Sequence, residues 1–287
     1  MEYKTLFNDT KIPVIWLGTW WIWWFMQSDF TDDENSINTI KEAIKLGYTH
    51  IDTAELYGAG HSEELIGEAI QDFDRKNLFI TSKVFKTNLR YDDLIKSAQE
   101  SLKRLKTNYI DLYMIHVPNP EIDIKETMKA LDYLVEENII KYIWVSNFNV
   151  KQLKEAQSHT KNKIVANQIE YNLVTRTVGE FESCTHIESE TIPYCQNNDI
   201  TIVAYRPIER GVLLKNHPLL DKLSKKYNKT KSQIAINWLI SKKNIITIPK
   251  SLNKEHLIEN LWALWWKLED EDMRLLDETD FNWMKQL

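Results

Sequence analysis

The stretch IDLYMIHVPNPEIDIKETMKALDYLVEENIIKYIWVSNF (110–148) decides the fold. Its first eight residues, IDLYMIHV (110–117), form a short, largely apolar run. IKETMKALDYLVEENI (124–139) then repeats its apolar residues at three- and four-residue spacing, the period of an amphipathic helix. YIWVSNF (142–148) returns to a short apolar run. Strands that continue as apolar runs, without alternating, belong to a parallel sheet buried on both faces. The stretch therefore reads as strand, crossover helix, parallel strand.

The same unit extends in both directions. Further strands are expected at VIWLGT (14–19), THIDTA (49–54), LFITSKV (78–84), IVANQIEY (164–171), ITIVAYRP (200–207) and IITIP (245–249). Helical patterns lie between them: DENSINTIKEAIKLG, SEELIGEAIQDF, YDDLIKSAQESLKRL, NVKQLKEAQS, a segment near IPYCQNN, and KSQIAINWLISKK. Eight such units without a long linker or a break in composition predict an α/β fold, a (β/α)8 TIM barrel, as a single domain over 1–287. A doubly wound open sheet is the alternative, but no GxGxxG follows the first strand. The polar connection 172–190 is expected to be a loop over the barrel mouth.

Composition narrows the function. A net charge of −6, with basic residues dispersed among acids, offers no footprint for nucleic acid. The uncharged run from Ile12 to Met26 contains Pro13 and is shorter than the roughly 18–20 apolar residues that span a bilayer. No membrane association is expected. The first residues lack a basic region followed by an apolar stretch, so no secretory leader is expected either. Two cysteines, Cys184 and Cys195, without metal-finger spacing suit a reducing cytoplasm and no metal site. His61 and Glu64 stand three apart at a helix start but lack a third ligand.

In such a barrel, chemistry sits at the C-terminal ends of the strands. Those ends deliver Asp52 with Tyr57 shortly after, then Lys83, His116, and Ser146 with Asn147. Each alone would pass for a turn residue, a solvated lysine or a buried histidine. Together they supply a carboxylate, a phenol, an amine and an imidazole to one rim. A phenol titrates near 10, and an adjacent ammonium should stabilise its anion and lower that value. Asp52, Lys83 and Tyr57 could thus make a tuned proton donor, with His116 polarising a carbonyl.

These motifs resemble a known family. GYTHIDTAELYG, ITSKV, DLYMIHVP, WVSNF and IPKS are similar, in order and spacing, to the aldo-keto reductases over essentially the whole chain. The resemblance implies a barrel that uses NADPH to reduce an aldehyde or ketone to an alcohol. Asp52, Tyr57, Lys83 and His116 match the family tetrad, with Tyr57 as general acid. The resemblance also implies cofactor contacts. Ser146, Asn147 and Gln168 would hold the nicotinamide amide, Tyr205 would stack on its ring, and Gly18 and Thr19 would approach it. Trp20 would shape the substrate pocket, and Lys250, Ser251, His256, Glu259 and Asn260 would meet the adenosine phosphate and adenine. His256 stands where the family often carries arginine. A mostly neutral imidazole is a poorer phosphate ligand than a guanidinium, so NADH stays open beside NADPH, with Lys250 and Lys254 as remaining cations. The expected partner is a small carbonyl substrate, and the expected state a cytoplasmic monomer. A cofactor-sensing barrel that barely turns over is the rival reading.

Eleven tryptophans and only seven glycines set this chain apart, with LGTWWIWWFM (17–26) the densest cluster. The related motifs read GLGTW, GVSNF and NLGAL where this chain has WLGTW, WVSNF and NLWAL. Glycine in place of Trp16, Trp21, Trp23, Trp24, Trp144, Trp262 and Trp265 restores the family text. It also turns seven glycines into fourteen and eleven tryptophans into four. UGA codons of a lineage that reads them as glycine, translated under a table that reads them as tryptophan, would produce this pattern. Deliberate engineering is the rival.

Overall fold

The computed structural model describes residues 1–6, 9–20, 31–251 and 253–286. Trp21, Trp23 and Trp24 lie outside the described residues. The chain opens with an antiparallel hairpin, β1 (Tyr3–Thr5) and β2 (Lys11–Pro13). Eight parallel strands follow: β3 (Leu17–Gly18), β4 (His50–Asp52), β5 (Phe79–Val84), β6 (Ile110–Ile115), β7 (Ile140–Ser146), β8 (Ile164–Glu170), β9 (Thr201–Tyr205) and β10 (Ile245–Ile248). Each pairs with its neighbour in sequence order. Parallel bridges Ile15–Thr247 and Gly18–Lys250 join the first strand to the last, and Trp16 donates its backbone N–H to Thr247 O at 3.0 Å across this seam. The result is a (β/α)8 barrel.

The helices α1 (Asp33–Lys45), α2 (His61–Ala69), α3 (Tyr91–Arg104), α4 (Ile124–Glu136), α5 (Val150–Ser158), α6 (Ile192–Asn197), α7 (Pro218–Tyr227), α8 (Lys231–Ser241), α9 (Lys254–Leu261) and α10 (Asp270–Glu278) pack outside it. The capping residues are local and explicit. Asp123 accepts from Lys125 N at the start of α4, and Asn149–Gln152 and Thr230–Gln233 form reciprocal capping boxes on α5 and α8. β6 and β8 are buried along their whole length, as expected for strands covered on both faces.

The hairpin and α7 had no place in the sequence reading. The hairpin strands, three residues each, are too short for a periodic signal, whereas α7 carries one in Leu219, Leu220, Leu223 and Tyr227 that the reading passed over; the hairpin gains definition from what it covers. Lys4 Nζ, for example, donates to the carbonyls of Ile240, Lys242 and Ile245 at 2.5–2.7 Å at the C-terminal end of α8 and the start of β10. The first barrel strand is also shorter than 14–19, because much of that stretch contributes only isolated bridges.

Inside the barrel, Trp16 and Trp144 are fully buried and meet edge to face, with ring centroids 5.1 Å apart. Trp144 lies in β7, where the register with β8 shifts between Ile143 and Val145. No helix among the described residues is long and apolar enough to cross a membrane.

Candidate active site

β4 ends on Asp52, β5 carries Lys83 one residue before its end, and His116 follows β6 directly. Parallel pairing in sequence order places all three at one rim. Tyr57 reaches the same rim on the tight turn after β4, where Gly58 (φ +57°), Ala59 (φ +52°) and Gly60 (φ +97°) take left-handed backbone in succession. Glycine enters that region without the penalty a Cβ imposes, which is why the turn can be so short.

Lys83 is fully buried, and its Nζ donates to Asp52 Oδ1 at 2.6 Å, Thr53 O at 2.8 Å and Tyr57 Oη at 3.2 Å. The other Asp52 oxygen accepts from Gln168 Nε2 at 2.9 Å. Burial works against the Lys83 ammonium, but Asp52 and Tyr57 outweigh it, and the lysine titrates above its ordinary value. The phenol corrects the sequence expectation. Burial raises the Tyr57 pKa, and Lys83 pulls it back only in part, so the net displacement is upward. The ammonium is in place, yet it does not carry the phenol below its usual range, because desolvating a phenolate costs more than one neighbour returns.

The His116 ring stands edge-on to Tyr57, with centroids 5.7 Å apart. Burial, and then the Lys83 charge, lower its pKa to about 3, so the imidazole is neutral. Its Nδ1 is buried without a hydrogen-bond partner among the described residues. A neutral imidazole keeps one N–H to donate. Phe85 walls this side, 6.2 Å from the His116 ring.

A second cluster adjoins the first. Asn147, at φ +64°, donates through Nδ2 to His116 O at 3.1 Å and Ser146 Oγ at 3.0 Å. Its Oδ1 accepts from Tyr205 Oη at 3.0 Å. Ser146 Oγ donates to Gln168 O at 2.9 Å. The 172–190 connection folds over this end, with Ser183 Oγ donating to Asn147 O at 2.6 Å. Thr19 is buried and donates through Oγ1 to Asp52 O at 2.9 Å, so its hydroxyl braces the strand end. Gly18 donates its N–H to Pro249 O at 3.2 Å across the seam.

Lys250 and Ser251 follow β10. Ser251 and Asn253 bond each other before α9, and Asn253 Oδ1 accepts from Glu255 N and His256 N. His256 is exposed on the first turn of α9, whereas Asn260 is buried against Tyr48. Lys254 is committed to Glu42 at 2.7 Å.

The sequence reading named Lys250 and Trp20 but missed the two arginines that join them. Arg206, Arg210 and Lys250 approach the half-exposed Trp20 ring at 5.7–5.9 Å from its centroid, within cation–π range. Arg206 also pairs with Glu170 at 3.0 Å and Glu180 at 2.6 Å. Its place directly after Tyr205 at a strand end was the available signal. Other features are structural. His61 is held between Glu64 at 2.9 Å and Asp33 at 2.8 Å. Burial pushes the Cys184 and Cys195 thiols up to about 12, which leaves them unreactive.

The sequence profile described as the Aldo/keto reductase family matches residues 14–280. The chain belongs to the aldo/keto reductase family. As an oxidoreductase of that family it has both curated and structural relatives. It is 35% identical over 286 residues to the uncharacterized oxidoreductase YtbE of Bacillus subtilis, covering 97% of this chain and 92% of that protein. It is 32% identical over 274 residues to the glyoxal reductase of Bacillus subtilis, covering 95% and 90%. The thermostable aldo-keto reductase Tm1743, solved with the inhibitor epalrestat, superposes with a TM-score of 0.89 at 46% identity, covering 96% of this chain and 99% of that one. An aldo-keto reductase of Klebsiella pneumoniae, solved with NADPH, superposes with a TM-score of 0.84 at 28% identity, covering 96% and 95%.

Proposed function

We propose that this aldo-keto reductase uses NADPH to reduce an aldehyde or ketone to an alcohol, with Tyr57 as general acid assisted by Lys83, Asp52 and His116. The observation that carries this reading is the Lys83 ammonium, shared between a buried carboxylate and a phenol beside a neutral imidazole. The reductases among its relatives, and the NADPH-bound neighbour, support it.

The residues present fit a nicotinamide dinucleotide. Ser146, Asn147 and Gln168 offer hydroxyl and amide groups beside the Tyr205 ring, suited to a carboxamide on an aromatic ring. Lys250 and Ser251 beside the start of α9 suit a phosphate, since a cation and the positive end of a helix both favour an anion, although Asn253 already caps the first N–H groups of the helix. When bound, the cofactor supplies hydride to the carbonyl carbon. Tyr57 donates its phenolic proton to the carbonyl oxygen. His116, neutral, orients that oxygen by donating a hydrogen bond. Lys83 stabilises the phenolate that remains, and Asp52, fixed by Gln168, holds Lys83 in place. Trp20 lines the approach of a small carbonyl substrate. His256 at the adenosine end leaves NADH as the alternative cofactor. NADPH oxidation across a panel of aldehydes and ketones tests the reading. The expected result is turnover that Tyr57→Phe abolishes, and a phenylalanine variant with full activity would overturn it.

We further propose that Trp16, Trp21, Trp23, Trp24, Trp144, Trp262 and Trp265 are glycines in the native protein, encoded by UGA. Trp265 holds φ +64°, the left-handed region that favours glycine, and its side chain is 64% exposed. Trp144 buries an indole N–H without a partner among the described residues. Trp16 and Trp238 both donate their indole N–H, to Pro13 O and Asp277 at 2.8 Å, so the unpaired indole is particular to Trp144 among these buried tryptophans. TGA at the seven codons and TGG at the other four is the expected gene sequence; TGG at all eleven would end the proposal. The family match running unbroken over 14–280 supports a single domain, and we propose a cytoplasmic monomer, which sedimentation of the purified chain tests.

A further inference from the structure

Behind the rim, one buried carboxylate joins the residue next to Lys83 to an arginine that packs against the Tyr57 turn. Glu63 is fully buried near the start of α2. One of its oxygens accepts from Ser82 Oγ, on the residue preceding Lys83 in β5. The other accepts from Arg104 Nε at 2.6 Å, at the last residue of α3. Arg104 in turn lies under the Tyr57 turn. A methyl group at Gly60 would fall 2.7 Å from Arg104 Cδ and 2.8 Å from its Nε, so the guanidinium stem packs flush against backbone three residues beyond Tyr57. At the far end of α2, a methyl group at Gly67 would fall 2.2 Å from the Arg104 carbonyl oxygen. Both ends of α2 thus rest on one arginine, side chain below and backbone above.

The turn is closed by Tyr57 N–H on Ala54 O at 3.1 Å and Ala59 N–H on Leu56 O at 3.2 Å, and Glu55 N–H ties its start to Lys83 O at 3.2 Å. Beyond Tyr57, the turn rests on the Arg104 side chain packed against Gly60. We propose that Glu63 and Arg104 form a clamp that sets the distance between Tyr57 Oη and Lys83 Nζ, and so act as positioning residues for the proton donor. The inference rests on the reading of Tyr57 as general acid. Through Ser82 the clamp grips the strand that carries the ammonium. Through Gly60 and α2 it grips the turn that carries the phenol. Neither residue touches the reacting atoms. A shift of about 1 Å between donor and supporting group can cost on the order of 100-fold in rate, whereas substrate and cofactor contacts made elsewhere would be untouched.

The test uses the full chain in three variants. Glu63→Gln keeps the volume and removes the charge, Arg104→Met removes the ion pair, and Ser82→Ala removes one hydroxyl without any change of charge. The expected result is a fall in kcat of about 10- to 100-fold for Arg104→Met, and smaller falls for the other two, with aldehyde KM and NADPH affinity within about twofold. The alkaline limb of the kcat–pH profile should move upward, because the phenol loses the help of the ammonium as the distance grows. Arg104→Lys, which restores the charge opposite Glu63, should recover part of the kcat. Circular dichroism identifies any variant that fails to fold, and Ser82→Ala carries the test if the two ion-pair variants do. Folded variants with unchanged kcat and pH profile would overturn the clamp, as would parallel losses in KM and cofactor affinity. If Tyr57→Phe were also fully active, it is the assignment of the acid that fails.

Discussion

The indole of Trp16 lies flat on the imidazole of His50, with ring centroids 3.3 Å apart and planes 11° from parallel. Ordinary aromatic pairs keep their centroids about 4.5–7 Å apart. His50 is fully buried in β4, two residues from Asp52, and Trp16 also meets Trp144. The barrel floor is therefore crowded directly beneath the strand that supplies the carboxylate.

This crowding separates the two readings of the tryptophans by stability. If both residues are native, exchanging Trp16 and Trp144 together for glycine removes two buried indoles and should cost several kcal/mol, since one large buried side chain alone is worth about 3–5. If glycine is native, the exchange relieves overpacking and should cost nothing. The two sites touch, so only the double variant is informative. Trp265→Gly alone should stabilise by about 1 kcal/mol, since the left-handed backbone penalises a Cβ by about 1–2. Denaturant midpoints of the three proteins decide between the readings.

Removing the buried ammonium should be costly in two ways. Lys83→Met leaves Asp52 buried beside Gln168 without its cation, a loss of about 3–5 kcal/mol for a broken buried pair. It also strips the phenol of its supporting charge, and kcat should fall by at least about 100-fold. Guanidinium unfolding and single-turnover NADPH oxidation measure the two effects separately.

The pH profile follows from two directions of shift. Reduction needs the protonated phenol, and burial raises the Tyr57 pKa, so activity should persist through neutrality and decline only above the ordinary tyrosine value of about 10. His116 titrates at about 3, so no histidine limb should appear between about pH 5 and 8. A kcat profile with a midpoint near neutrality would contradict both assignments.

Stability, unlike activity, should carry a histidine signature. His61 loses by burial but gains more from Glu64 and Asp33, so its folded pKa lies above the unfolded one. Its contribution is complete below about pH 6.5 and disappears as pH rises through the raised folded value. The two carboxylates are 54% and 33% exposed, which limits the gain to no more than about 1 kcal/mol. Unfolding free energies of the chain and of His61→Gln at pH 6 and pH 9 should differ more at the lower pH.

At the adenosine end, His256→Arg should tighten NADPH by roughly 10-fold and leave NADH unchanged, since a guanidinium grips a phosphate in a way a neutral imidazole does not. Fluorescence titration with the two cofactors checks the difference.

The barrel and the rim were readable because period and strand-end position are written directly in residue order. IDLYMIHV and YIWVSNF carried their own register, and Asp52, Lys83 and His116 followed from it. What could not be read depends on partners far apart in the chain. Arg206 meets Glu170 only once β8 and β9 have paired, and Glu180 only once the 172–190 connection has folded over the mouth. The net direction of the Tyr57 shift depends on burial, which no local motif records. The hairpin of β1 and β2 is three residues a strand, and its meaning lies in the floor it covers.

The Lys4 ammonium holds three carbonyls that lie 236–241 residues further along the chain. During synthesis, Lys4 must wait for residues 240–245 before its part-buried charge has these acceptors. Contacts of such long range are slow to form, since loop closure precedes any reward. Seven strands can pair in order as they emerge, but the ring and its floor close together, in one late event that brings β10 to the hairpin and the first strand.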